Sequence, residues 1–97
     1  MTSIRLEIII DGLMTKKLLR TLKAFPHVVC IAHRAVASKY QNQVMTANDL
    51  ADALSYHLLI LFIPKEEYEE VQKVLKQTLR AHRIAMYESV VETPSWL

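Results

Sequence analysis

Glycine is almost missing from this chain: Gly12 stands alone in 97 residues. That excludes Gly-rich linkers and speaks against low-complexity disorder, since such segments depend on glycine and polar residues and cannot bury a core. Cysteine is as scarce, and Cys30 by itself permits no intrachain disulfide. The start Met1-Thr2-Ser3 shows no basic stretch followed by an uncharged apolar one, so a cytoplasmic protein is expected. Long hydrophobic runs are missing too: Leu58 to Pro64 falls far short of the ~20 apolar residues that cross a bilayer, and no direct membrane insertion is expected. Twelve lysines and arginines are scattered among ten acidic residues without interleaved aromatics, which is not a nucleic-acid footprint.

Catalytic signatures are absent as well. No Ser-His-Asp order, GxSxG, P-loop or paired active-site carboxylates occur, so no enzymatic activity is expected. Neither CxxC nor HExxH spacing is present. Glu66, Glu67, Glu69 and Glu70 are explained by helix polarity, because carboxylates are favourable at a helix N-terminus.

What is there is apolar mass. Hydrophobic residues make up 52% of the chain and charged ones 23%. A chain of this length forms one domain, 1–97, and buries roughly 60 to 65% of its unfolded surface. So much apolar content on so small a body points to burial against a partner, a homo-oligomer by default.

The order of segments is strand, helix, strand, twice over. In Ile4 to Ile10 the even positions are apolar while Arg5 and Glu7 lie opposite, the period of a strand with one buried face. Thr15 is a candidate cap for a helix with the apolar stripe Leu18, Leu19, Leu22 and Phe25, stopped by Pro26. A second strand is expected from about His27 to Ala35. The polar segment 36–53 reads as a long loop, with a short helix in its second half capped by Thr46 or Asn48. Loops this long in compact domains are more often functional than idle. Tyr56 to Ile63 is apolar at nearly every position, as in a central strand covered on both faces. Pro64 opens a second helix with the stripe Tyr68, Val71, Val74, Leu75 and Leu79, and a last strand spans about Ile84 to Val91. The tail, about 92–97, ends in Trp96-Leu97 and is expected to dock. The pattern predicts an α+β, ferredoxin-like βαββαβ sandwich: a four-stranded antiparallel sheet with two helices on one face. The other face must meet something, and the same face of another subunit, in a trimer or a dimer, is the simplest candidate.

This succession, with some eighteen polar residues before Tyr56-His57-Leu58-Leu59-Ile60-Leu61-Phe62-Ile63-Pro64 and a Glu-rich helix, resembles the PII-like family of small trimeric signalling proteins. The resemblance implies a regulatory or sensor protein, a homotrimer, whose 36–53 segment is the T-loop that closes over ligands between subunits and touches a protein target such as a membrane transporter or an enzyme. Family members that bind ATP or ADP cradle the phosphates with glycines at the T-loop base and between the second helix and last strand. Here those places read Ala35-Val36-Ala37-Ser38 and Arg80-Ala81-His82-Arg83, without glycine. Without glycine the backbone does not easily form a phosphate nest, so tight triphosphate binding is not expected, and an anion would have to be met by side chains. Arg34, Lys39 and Tyr40, with Arg80, His82 and Arg83 across a subunit cleft, are the candidates to clamp an anionic effector such as an adenine nucleotide.

A second reading, closer to the divalent-cation tolerance proteins, uses His33 and His57 as ligands of a divalent metal ion if the register brings them together. The plain reading of the histidines is as strand-end or interface residues. Cys30, flanked by Val28, Val29 and Ile31, is expected to be a buried small hydrophobe.

Overall fold

Alternation along the first strand sets the frame. In β1 (Thr2–Asp11) every even residue from Ile4 to Ile10 is buried and every odd one is half-buried. β5 (Tyr56–Pro64) answers with Leu59, Leu61 and Ile63, each fully buried. The antiparallel register places Ile4 beside Ile63, Leu6 beside Leu61 and Ile8 beside Leu59, so one face of the central pair is continuous hydrocarbon. Each such side chain contributes about 1.5–3 kcal/mol relative to exposure. This computed structural model describes residues 1–34, 37–40, 43–46, 56–80 and 83–96, with the backbone alone described for 37–40, 43–46, 83 and 84.

Two edge strands complete the sheet. β2 (Val29–Arg34) pairs with β5 and β6 (Arg83–Glu92) with β1, all antiparallel, in the order β2-β5-β1-β6, with a bulge at Ile9/Ile10. α1 (Thr15–Thr21) and α2 (Tyr68–Leu79) lie on the buried face, where Leu18, Leu22, Val71, Leu75 and Leu79 close the core. The architecture is the expected ferredoxin-like α+β sandwich. No helix among the described residues is long and apolar enough to cross a membrane.

The chemistry at the element ends differs from the sequence reading in four places. Asp11, not Thr15, caps the first helical segment: its side chain accepts from the Leu13 N–H at 3.1 Å, opening a 3-10 turn (Gly12–Met14) that runs into α1. Thr15 is buried instead. Leu19 is 37% exposed, because the stripe is narrower than its leucines suggested. Phe25 leaves helical space at φ −123°, ψ 84°, as Pro26 requires, and β2 begins only at Val29. Trp96 is 83% exposed rather than docked, while the Thr93 N–H donates to the Met1 carbonyl at 2.8 Å; Leu97 lies outside the described residues.

The polar segment is more structured than a loop. β3 (Ala37–Tyr40) and β4 (Gln43–Thr46) pair antiparallel as a separate two-stranded ribbon. Such a ribbon needs no buried face, so it carries no apolar alternation to be read. The short helix expected after Thr46 lies outside the described residues.

Candidate functional site

One end of the sheet gathers the termini of all the long strands. Arg34, the last residue of β2, pairs with His57; His57 pairs with Ile10; Ile10 pairs with Arg83, the first of β6. The row Arg34, His57, Ile10, Arg83 thus crosses the sheet at the level where the 35–55 segment leaves and the turn after α2 returns. Three strand spacings of ~4.8 Å separate Arg34 from Arg83, about 14 Å from edge to edge. Arg80, exposed at the end of α2, approaches the same end. Within one subunit the two strand-end arginines thus stand on opposite edges of the sheet.

Lys39 and Tyr40 lie in neither β2 nor an open loop. They belong to β3, where Lys39 faces Val44 and Tyr40 faces Gln43, beside the ribbon tip. His82 lies outside the described residues.

The two candidate metal ligands are not on one face. His33 pairs with Leu58 on the side away from the helices, whereas His57 pairs with Arg34 and Ile10 on the helix side. Side chains of adjacent register positions point to opposite faces, so one subunit does not converge this pair on one ion. The Thr15 hydroxyl lies 2.7 Å from His57 Nδ1, and Nε2 is buried with no hydrogen-bond partner among the described residues. This Thr15–His57 contact ties the start of α1 to the start of β5 at the base of the long segment. Sequence reading missed it because Thr15 also fits a cap. No group of three or more His, Cys, Asp or Glu able to hold a metal occurs among the described residues. His27, at the far end of the sheet, lies 3.5 Å from Glu67 and is exposed.

The sheet's second face is uncovered by the chain's own helices. Val29 and Ile31 are 52% and 47% exposed, Tyr87 is 63% exposed, and Leu58, Ile60 and Phe62 lie between them. Arg5 runs through the middle of this face, its guanidinium 5.8 Å from the Phe62 ring centroid and 3.2 Å from Glu7 Oε1. Its Nε is buried with no hydrogen-bond partner among the described residues. Cys30, on the other face, has its thiol pushed up to about 11 by burial, which keeps it protonated and inert near neutrality.

No family model matches the chain, and no curated protein matches it. Solved structures do. CPII from Thiomonas intermedia K12, a nitrogen regulatory PII-like protein bound to ADP, AMP and bicarbonate, superposes with a TM-score of 0.76 at 14% identity, over 96% of this chain and 89% of that one. A PII-like signaling protein from Thermus thermophilus gives 0.68 at 12% identity, over 93% and 87%. The periplasmic divalent cation tolerance protein CutA from Archaeoglobus fulgidus gives 0.52 at 13%, over 96% and 84%. On these superpositions, the chain has the fold of the PII-like proteins.

Proposed function

We propose that this chain is a PII-like regulatory protein that assembles as a homotrimer through its uncovered sheet face, binds a small anionic effector between subunits, and reports occupancy to a protein target through the 36–53 segment. The observation that carries the reading is the row across the sheet end. Arg34 and Arg83 sit on opposite edges at one level, so a ring of subunits apposes the β2 edge of one with the β6 edge of the next. Arg34, with Lys39 and Tyr40, then faces Arg80, His82 and Arg83 across each boundary. An adenine nucleotide is the effector this cleft suits, its phosphates held by guanidinium forks where glycines are missing. The presence of ADP and AMP on CPII supports that choice. Signalling is then a population shift, with the effector favouring one arrangement of the segment that the target recognises.

The test is a thermal-melt series with AMP, ADP and ATP, each with and without magnesium, since a ligand of the folded state raises the midpoint. Arg34→Gln and Arg83→Gln should each lose the rise. Refolding the two variants together should restore part of it, because mixed rings contain clefts with both arginines intact. If mixing restores nothing while each variant still assembles, the shared cleft is wrong.

A further inference from the structure

A cavity of about 270 Å³ opens between α2 and the edge strand β6, on the helix side of the sheet and within a single subunit. Its floor is hydrocarbon: Leu6, Leu75 and Leu79 are almost fully buried, and Met86 is partly so. Its mouth is charged, and the charges are sorted along the helix. Lys76 and Arg80, both exposed, stand one turn apart at the C-terminal end of α2. Tyr68 and Glu88 close the other end, the tyrosine hydroxyl donating to the Glu88 carboxylate. The lining residues run along α2 from Tyr68 to Arg80, ~18 Å of helix at 1.5 Å per residue.

We propose that this cavity binds an amphipathic organic anion, a medium-chain carboxylate, with its chain along Leu6, Leu75, Leu79 and Met86 and its head between Lys76 and Arg80. Three features select that class. The apolar floor disfavours an anion without an alkyl chain, such as acetate, which would meet the same two cations but leave the hydrocarbon uncovered. Neither Lys76 nor Arg80 makes an ion pair among the described residues, so both cations are available to the head. Glu88 repels an anion from the opposite end, which fixes the orientation. The volume lies just under the range of drug-sized ligand sites and suits a smaller molecule. This site is intrachain, whereas the nucleotide cleft needs a neighbour; Arg80 stands at the border of the two, and Lys76 belongs to this site alone.

Octanoate is the probe, followed by calorimetry and amide chemical-shift mapping, with octanol and acetate as controls. Octanoate is expected to bind at least tenfold more tightly than either control and to shift amides of α2 and β6. Lys76→Gln combined with Arg80→Gln, at exposed positions that do not threaten folding, should weaken it at least tenfold and leave octanol unchanged. Met86→Trp should fill the cavity and abolish binding. Lys76→Gln alone should leave any response to AMP or ADP intact, separating this site from the cleft. Equal binding of octanoate and octanol, indifference to the double variant, or shifts centred on Val29 and Ile31 would each overturn the proposal.

Discussion

A residue's neighbours, more than its type, decide its chemistry here. Burial holds the Cys30 thiol at about 11, and Tyr68 is pushed up to about 12, first by burial and then by its hydrogen bond to Glu88 and that carboxylate's charge. Both folded values exceed the unfolded ones, about 9 for Cys and 10 for Tyr. The folded chain therefore keeps protons the unfolded chain gives up, and stability falls as pH rises from about 9 towards 12. Urea melts between pH 8 and 11 should show this decline. Cys30→Ala should flatten its lower part and Tyr68→Phe its upper part; an unchanged slope in both would show that other groups carry it. Thr15→Val is the complementary test near neutrality. It keeps the shape but leaves His57 without its Nδ1 partner, at a cost of about 1–3 kcal/mol, read as a lower urea midpoint with an unchanged m-value. Nothing in the spacing around Thr15 distinguishes this buried hydroxyl from a cap, because both roles use the same residue type at a helix start.

Elements differ in how much of themselves the sequence displays. β1 was legible because half of its side chains must be buried, and Ile4, Leu6, Ile8 and Ile10 record that as a strict period of two. α2 was legible for the same reason, with Val71, Leu75 and Leu79 buried at helical spacing. β3 and β4 were not, since Ala37–Tyr40 and Gln43–Thr46 carry no apolar alternation from which a strand could be read. The candidate site was partly legible. Residue types at the strand ends suggested an anion site, but the row from Arg34 to Arg83 depends on register across four strands, which no local pattern encodes. The same contrast predicts unequal responses to mutation. Leu61→Ala, in the middle of the core, should cost about 2–5 kcal/mol and lower the midpoint of thermal unfolding sharply. Replacing 37–46 by a short Gly-Ser linker should leave that midpoint within a few degrees of wild type, since among the described residues the ribbon forms a sheet of its own. Loss of folding on that replacement would mean the ribbon belongs to the core.

For the whole molecule, the uncovered sheet face is the feature the single chain does not resolve internally. Val29, Ile31, Ile60 and Phe62 form an apolar surface that a two-layer sandwich leaves open, and the buried Arg5 Nε still seeks an acceptor. Closing this face in a ring would remove hydrocarbon from water and offer Arg5 a carbonyl or carboxylate from the next subunit. A specific interface buries about 800 Å² per partner, and a face of four strands of six to ten residues is of that order. Ile31→Glu is the sharp probe, because position 31 is half exposed in the single chain and a carboxylate there should cost the monomer little. Sedimentation velocity should show wild type as a trimer and the variant as a folded monomer near 11.2 kDa. A wild type that sediments as a monomer at the same concentration would refute assembly through this face. The variant also separates the two binding sites. A nucleotide cleft made of two subunits should vanish with the trimer, whereas octanoate binding between α2 and β6 needs one chain only and should persist. Loss of both in a well-folded Ile31→Glu monomer would place the carboxylate site, too, at a subunit boundary.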